Sequence, residues 1–346
     1  MKLVENFINR ELFTHDNLAQ VDAICILGPT ASGKTKFAVE VVMGLGRFEG
    51  GQFMPGAEII SADSRQVYRG MDIGTGKDIG EYTVYPGEFI KSYRDRENKW
   101  LQVGKEDGGW GESIEIPCHL INVVDAGEKY NIFEYQKDFS KAYKSIKERG
   151  MIPVICGGSG LYIEAATMGY ELKEVVPNNE LRARLEIKSM EDLIEMLTKI
   201  KIAKGESPHN NSDFDSKKRV IRAIEIAQAK EFNTTSELLL PQKCLYIGID
   251  VDRETRNARI DARLRTRLQE GLIEEVQRLL NSGILSEDLI YYGLEYKFVT
   301  RYVLGELGYE EMVEKLAIAI HQFAKRQMTW FRGMERKGVD IKWIKV

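Results

Sequence analysis

The run Gly28-Pro29-Thr30-Ala31-Ser32-Gly33-Lys34-Thr35 constrains this chain more than any other. It lies between an apolar stretch, Ala23-Ile24-Cys25-Ile26-Leu27, and a stretch with helical spacing, Phe37-Ala38-Val39-Glu40-Val41-Val42. Strand, glycine-bounded loop and helix in that order is the setting in which G-x-x-x-x-G-K-[ST] binds phosphate. Successive backbone N–H groups and the positive end of the following helix surround a polyphosphate. Lys34 adds a point charge, and the Thr35 hydroxyl is the expected protein ligand for Mg²⁺. The chain is therefore expected to grip a phosphorylated small molecule through Gly28, Pro29, Thr30, Ala31, Ser32, Gly33, Lys34 and Thr35.

Few other classes survive the bulk properties. At 346 residues the chain fits one main domain with an excursion. No apolar run approaches the ~20 residues that span a bilayer. The stretch 1–17 is mixed in charge and has no signal-type apolar region, so a cytoplasmic protein is expected. Four cysteines, Cys25, Cys118, Cys156 and Cys244, form no C-x-x-C and no Cys/His cluster, so neither a zinc site nor a disulfide framework is suggested. Net charge is −4, so any nucleic-acid surface must be a local patch. The four histidines, His15, His119, His209 and His321, have no metal spacing and read as structural.

Five apolar strands are expected: Ala23–Leu27, Glu58–Ala62, Leu120–Val124, Ile152–Cys156 and Cys244–Asp250. Helical patterns lie between most of them, at Lys34–Met43, Phe133–Glu148, Leu161–Thr167 and Lys217–Ala229. Short apolar strands alternating with helices describe a buried, doubly wound parallel sheet. Such folds bind ligands beyond the carboxyl ends of the strands. Residues 78–117 read as a β excursion, with a hairpin from Phe89–Arg94 and Lys99–Val103. Residues 171–215 read as a helical insertion with a polar tip at Gly205–Asp213, leaving 18–170 and 216–346 as the core. The last third is helical, over Arg253–Asn281 with an interruption at Gly271, and over Tyr309–Arg332.

Chemistry-bearing residues cluster after the strands. Asp63-Ser64-Arg65-Gln66 follows the second strand, where a carboxylate can accept a proton from an attacking N–H or O–H. Tyr68–Lys77 brings glycines and basic ends to the same cleft, and Gly157-Gly158-Ser159-Gly160 offers close backbone approach and a neutral donor. Arg259 and Arg263 share a helix face, as do Arg263 and Arg267; guanidinium groups there suit a pyrophosphate or a nucleic-acid phosphate, or else pair with Glu270, Glu274 and Glu275. Lys217-Lys218-Arg219 and Lys325-Arg326, the latter near Trp330 and Phe331, are basic clusters. Cations interleaved with aromatics occur in single-stranded nucleic-acid binders and also in amphipathic core helices.

Taken together these runs resemble one family, the tRNA dimethylallyltransferases (tRNA isopentenyltransferases). The matching segments are Gly28–Thr35, Ile60–Lys77, His119–Asp125, Gly157–Tyr162, Lys218–Glu225 and Gln322–Arg332, in the family's order along most of the chain. The resemblance implies an α/β fold with a P-loop nucleoside-triphosphate-hydrolase-like parallel sheet, a helical insertion and a helical C-terminal part. It implies transfer of a dimethylallyl group from dimethylallyl diphosphate to N6 of the adenosine 3′ of the anticodon in tRNAs reading U-starting codons. Residues Gly28–Thr35 with Mg²⁺ would hold the diphosphate, Asp63 would accept the N6 proton, Ser159 would stand near the bridging oxygen, and Arg259 and Arg263 would clamp the diphosphate. Contacts to the anticodon stem-loop would fall on Asp63, Ser64, Arg65, Gln66, Ser159, Arg182, Lys217, Lys218, Arg219, Val220 and Ile221, with Lys325 and Arg326 added from the basic-aromatic helix. A monomer without membrane association is implied.

This sequence departs from the family pattern in the long 78–117 segment, in the somewhat short 171–215 excursion, and at Leu294-Glu295-Tyr296-Lys297, where the family's G-Y-[KR] glycine is missing. Two other enzymes share much of the site pattern: a shikimate-kinase-like small-molecule kinase, which needs ATP, and an adenylate isopentenyltransferase, which prenylates free AMP or ADP. A non-catalytic tRNA-binding module has no need of Asp63, Lys34 and Thr35 together.

Overall fold

A computed structural model describes residues 18–49, 52–84, 113–169, 177–205, 216–229 and 238–346, together with 13, 175 and 214. The chain divides into two compact units, Met1–Gly169 with Leu239–Val346, and Tyr170–Leu238.

The larger unit is built on a six-stranded sheet whose strands are β1 (Ala23–Leu27), β2 (Ala57–Ser61), β3 (Cys118–His119), β4 (Ile152–Gly157), β5 (Cys244–Asp250) and β6 (Ile341–Lys345). Their order is β6-β5-β1-β4-β2-β3, and every pair is parallel. The expected α/β class is the observed one. β1 is buried along its whole length because both faces are covered. Ile24 and Ile26 face the layer containing α1 (Lys34–Leu45), while Ala23, Cys25 and Leu27 face α2 (Ile132–Glu148) and α3 (Gly160–Thr167). An Asn131–Glu134 capping box starts α2: the Asn131 side chain accepts the N–H groups of Phe133 and Glu134, and Glu134 accepts that of Asn131.

The C-terminal helices are α7 (Arg253–Gln269), α8 (Leu272–Asn281), α9 (Ser286–Tyr292), α10 (Leu294–Val303) and α11 (Tyr309–Arg336). They share a second core with Val67, Tyr68 and Met71. The expected Arg253–Asn281 helix breaks at Gly271, whose φ of 103° lies in the left-handed region. β6 was not expected; Trp343 pairs with Gly248 of β5, and its ring fills the space that a Cβ at Gly248 would need.

The smaller unit contains α4 (Asn179–Glu186), α5 (Met190–Ala203) and α6 (Lys217–Gln228) around Leu185, Leu193, Leu197, Val220, Ile221 and Ile224. It is wider than the expected 171–215 insertion, because the apolar face of α6 completes the core of these helices rather than that of the sheet. A buried carboxylate lies beside that apolar core. Glu225 is buried, accepts Arg182 Nε and Nη2 at 2.8 and 2.8 Å, and accepts Arg222 Nη1 at 3.0 Å. Burial raises the Glu225 pKa, but Arg182, the Asn178 N–H and Arg222 outweigh it and hold the carboxyl below its ordinary value.

One strand expectation is corrected. Leu120–Val124 is not a sheet strand; the sheet takes Cys118–His119, and the chain then turns out through Leu120 and Asn122 at φ 63° and 55°. It runs on beside 66–69, with Val123 N donating to Val67 O at 2.7 Å and Val124–Asp125 pairing with Tyr68–Arg69. In the 78–117 segment, Thr83–Val84 pairs antiparallel with Ile114–Glu115. The expected hairpin over 89–103, the polar tip at 205–213 except for Gly205, and the stretch 1–17 except for Phe13 lie outside the described residues. No described helix is long and apolar enough to cross a membrane.

Far from the carboxyl ends, Glu58 ties the sheet to α2. It is buried; its Oε2 meets His119 Nε2 and Arg149 Nη2, both at 2.6 Å, and Oε1 meets Arg149 Nε at 3.2 Å. Burial raises its carboxyl, yet the hydrogen bonds from His119 and Arg149 bring it below the ordinary 4.5. A depressed folded-state pKa gives stability that is fully present above the ordinary glutamate pKa and is lost as pH falls through the folded value. Glu58→Gln is expected to cost about 1–3 kcal/mol at neutral pH in chemical denaturation, and the difference from wild type should shrink once pH falls through that range.

Candidate active site

Parallel register brings three loops to one edge of the sheet. Leu27 pairs with Gly157 and Cys156 with Ser61, so the turns after β1, β4 and β2 leave the sheet side by side. The first turn is the 28–35 loop. Gly33 caps α1 at φ 82°, a conformation glycine takes without cost, and Ala31 holds φ 59°. Ser32 Oγ is buried and has no hydrogen-bond partner among the described residues. A buried hydroxyl without a partner is a donor available to a ligand. Thr35 stands half-buried in the first turn of α1. Lys34 is half-buried too; desolvation lowers its ammonium pKa, and nearby Cys156 and Asp63 oppose that shift.

The second turn carries Asp63, half-buried, whose Oδ1 accepts the Arg65 N–H at 3.0 Å. The third carries Ser159. Its Oγ accepts the Ser64 N–H at 3.1 Å and lies 3.3 Å from Ser64 Oγ, while Ser159 N donates to Ala62 O at 3.2 Å. Asp63, Ser64 and Ser159 are thus held in one constellation, one strand away from the phosphate loop. Gln66 is occupied internally: it meets Ser61 Oγ at 3.0 Å and donates to Gly76 O at 3.1 Å. Arg65 lies with its guanidinium 5.7 Å from the ring centre of Tyr291, an aromatic that is 69% exposed.

A shallow cleft beside the loop is lined by Thr30, Ala31, Arg263, Arg267 and Glu295 over an apolar floor. Arg263 pairs with Asp78, and Arg267 with Glu295 at 3.3 Å. Desolvation, and then the charge of Arg267, lower Arg263 to about 10. Arg259, expected to clamp the diphosphate with Arg263, is exposed on α7 and does not line this cleft; Arg267 does. The 68–77 run is held as structure rather than left open to ligand. Lys77 is buried against Tyr68 O, Asp72 and Asn122, and Glu275 accepts the N–H groups of Asp72, Ile73 and Gly74 at 2.9, 2.9 and 3.0 Å.

The expected RNA contacts divide by exposure. Lys325 and Arg326 are exposed on α11 beside Phe323 and Trp330, at 38% and 41%. These aromatics are therefore not core residues. In the smaller unit Lys218 and Arg219 are exposed, Lys217 donates to Glu186 O, and Arg182 is committed to Glu225. Val220 and Ile221 are core residues of that unit, so their side chains are not surface groups.

Sequence reasoning missed Gln327. It lies on the buried stripe of α11 with Ala324, Phe331 and Met334, and a polar residue on an apolar helical stripe was the available signal. Its Oε1 accepts the Thr30 N–H at 2.8 Å, and its Nε2 donates to Gly158 O at 2.9 Å. One carboxamide therefore pins the phosphate loop to the Ser159 turn. Gly158 must lack a side chain, because a Cβ there would lie 2.4 Å from Gln327 Nε2. Gln327→Leu leaves a buried N–H and a buried C=O unpaired, so denaturant unfolding is expected to show a loss of about 1–3 kcal/mol.

Known proteins resemble this chain in sequence and in fold. The family profile described as IPP transferase matches residues 109–334. A protein named tRNA dimethylallyltransferase 1 from Porphyromonas gingivalis is 52% identical over 322 residues, covering 93% of this chain and 93% of the relative. One named tRNA dimethylallyltransferase 2 from Bacteroides fragilis is 48% identical over 324 residues, covering 93% of this chain and 92% of the relative. The crystal structure of a tRNA isopentenylpyrophosphate transferase from Bacillus halodurans aligns with a TM-score of 0.58 at 29% identity, over 94% of this chain and 89% of that one. A eukaryotic dimethylallyltransferase acting on tRNA aligns with a TM-score of 0.64 at 21% identity, over 93% of this chain and 73% of that one, a likeness of fold. A profile matching more than half of the chain and relatives near half identical along almost all of it lead to one conclusion: the chain belongs to the IPP transferase family.

Proposed function

We propose that this chain transfers a dimethylallyl group from dimethylallyl diphosphate to N6 of the adenosine 3′ of the anticodon in tRNAs reading U-starting codons, releasing diphosphate. The observation that carries this reading is the position of Asp63 at the same edge of the sheet as the 28–35 loop, within a chain of this family.

The N–H groups of the loop, Lys34 and Arg263 hold the diphosphate and stabilise the charge that grows on it as the C1–O bond breaks. The N6 lone pair attacks the allylic C1, and Asp63 takes the N6 proton, so that neutral prenylated adenosine and diphosphate are left. Ser159, fixed through Ser64, supplies a hydroxyl next to the reacting groups. A tRNA base reaches such a cleft only by leaving its stack. Arg65 and Tyr291 offer a cation and an exposed ring that can replace the lost stacking.

Mg²⁺ fits the loop. Among the described residues no group of three His, Cys, Asp or Glu side chains forms a metal cluster, and the Thr35 hydroxyl is the ligand this loop offers. Thr35 would hold Mg²⁺ at the loop, and a thin protein ligand set suits an ion that commonly takes ligands from water and substrate phosphates. When bound, it neutralises charge on the leaving group. On α11, Lys325, Arg326, Phe323 and Trp330 form the RNA surface of the larger unit, and Lys218 and Arg219 contribute basic surface in the smaller one. The protein acts as a monomer in the cytoplasm.

Incubation with labelled dimethylallyl diphosphate and either tRNA or AMP, followed by nucleoside analysis, is expected to place label on adenosine N6 in tRNA. Label on AMP alone, or phosphoryl transfer from ATP to a metabolite, sinks the proposal. Asp63→Ala is expected to slow prenylation by about 10²–10⁴-fold; a wild-type rate refutes Asp63 as the base.

A further inference from the structure

The cleft beside the phosphate loop contains a carboxylate that the transfer step does not use. Glu295 sits in the first turn of α10 and lines the cleft with Thr30, Ala31, Arg263 and Arg267. Its side chain is 18% exposed and that of Arg267 is 11% exposed, and the two are joined at 3.3 Å. The next residue fixes its backbone: Tyr296 is buried, donates to Glu275 Oε1 at 2.6 Å, and packs where a Cβ on Gly74 would go. The backbone of Glu295 is therefore anchored at the wall of this cleft, and its carboxylate meets Arg267 there. Desolvation raises its carboxyl pKa, and the charge of Arg267 opposes that shift.

We propose that Glu295 limits how tightly this cleft holds a diphosphate, donor and product alike. The inference rests on the reading of the 28–35 loop as the donor site. Arg267 is the cation most enclosed in the cleft, and Glu295 cancels its charge; Arg263 shares its charge with Asp78. A diphosphate entering the cleft meets two guanidinium groups already compensated by carboxylates. Binding energy realised equally with substrate and product does not accelerate the chemical step and slows product release. A fixed negative charge at the wall lowers that uniform component while leaving Asp63 and Ser159 untouched.

Inorganic pyrophosphate with Mg²⁺, titrated calorimetrically into the full-length protein, tests this. Glu295→Gln and Glu295→Ala are both expected to bind pyrophosphate about tenfold tighter than wild type. Donor KM and the pyrophosphate inhibition constant should fall together in both variants. Arg267→Gln should bind more weakly, and adding Glu295→Gln to it should recover most of the loss. If Glu295 merely holds Arg267 in position, Glu295→Ala binds more weakly than wild type while Glu295→Gln, which keeps an acceptor oxygen, matches it; that result overturns the proposal. Unchanged affinity in both variants overturns it as well. Wild-type protein that does not bind pyrophosphate at all refutes the donor-site reading itself, a failure distinct from the other two.

Discussion

Parallel pairing of Leu27 with Gly157 and of Cys156 with Ser61 levels the carboxyl ends of β1, β4 and β2, and the remaining site geometry follows from that alignment. A slip of one residue in either pair would turn the alternate side chains of a two-sided buried strand into the wrong layer. The sheet resists such a slip because both faces of β1 are packed, Ile24 and Ile26 into one core and Cys25 and Leu27 into the other. Full burial of aliphatic side chains contributes roughly 1.5–3 kcal/mol each, well above the cost of the few polar groups gathered at the strand ends. The register is therefore set by the core, and the site inherits it.

Given that register, polar ties make the loops into one surface. Gln327 reaches out of α11 to Thr30 N–H and Gly158 O, and Ser159 reaches back to Ser64. The helices of the C-terminal third thus do more than cover the sheet. The α11 helix holds the phosphate loop from its buried face and carries Lys325, Arg326 and Trp330 on its exposed one. Helix α7 sends Arg263 and Arg267 to the cleft, and α10 sends Glu295 to meet them.

Electrostatics in the cleft is close to balanced rather than simply positive. Lys34, Arg263 and Arg267 lie near Asp63, Asp78 and Glu295. Desolvation lowers the pKa of Lys34 and Arg263 and raises that of Glu295. Charges in such surroundings act more strongly than they would in water, so each carboxylate changes the local potential of the cleft. In the smaller unit the same physics serves packing. Arg182 and Arg222 neutralise a buried Glu225, which turns two basic residues of a basic-looking segment into structural groups.

Local patterns in the chain determined a good deal. A glycine-bounded loop between an apolar run and a helix, strands of continuous Val, Ile and Ala, and a carboxylate just past the second strand follow from short-range rules of backbone and burial, so the strand–loop–helix at 23–45, the parallel sheet and the position of Asp63 at a strand end were legible. Tertiary packing decided the rest, because it depends on residues far apart in sequence. The 120–124 segment left the sheet through left-handed residues that an apolar run does not reveal. Arg267 rather than Arg259 faced the cleft, since rotation of α7 is set by its contacts with α11 and not by charge spacing. Gln327 and Glu295 gained their roles only when helices late in the chain closed over loops near its start, and no local signal records which polar group a distant backbone N–H or guanidinium will find.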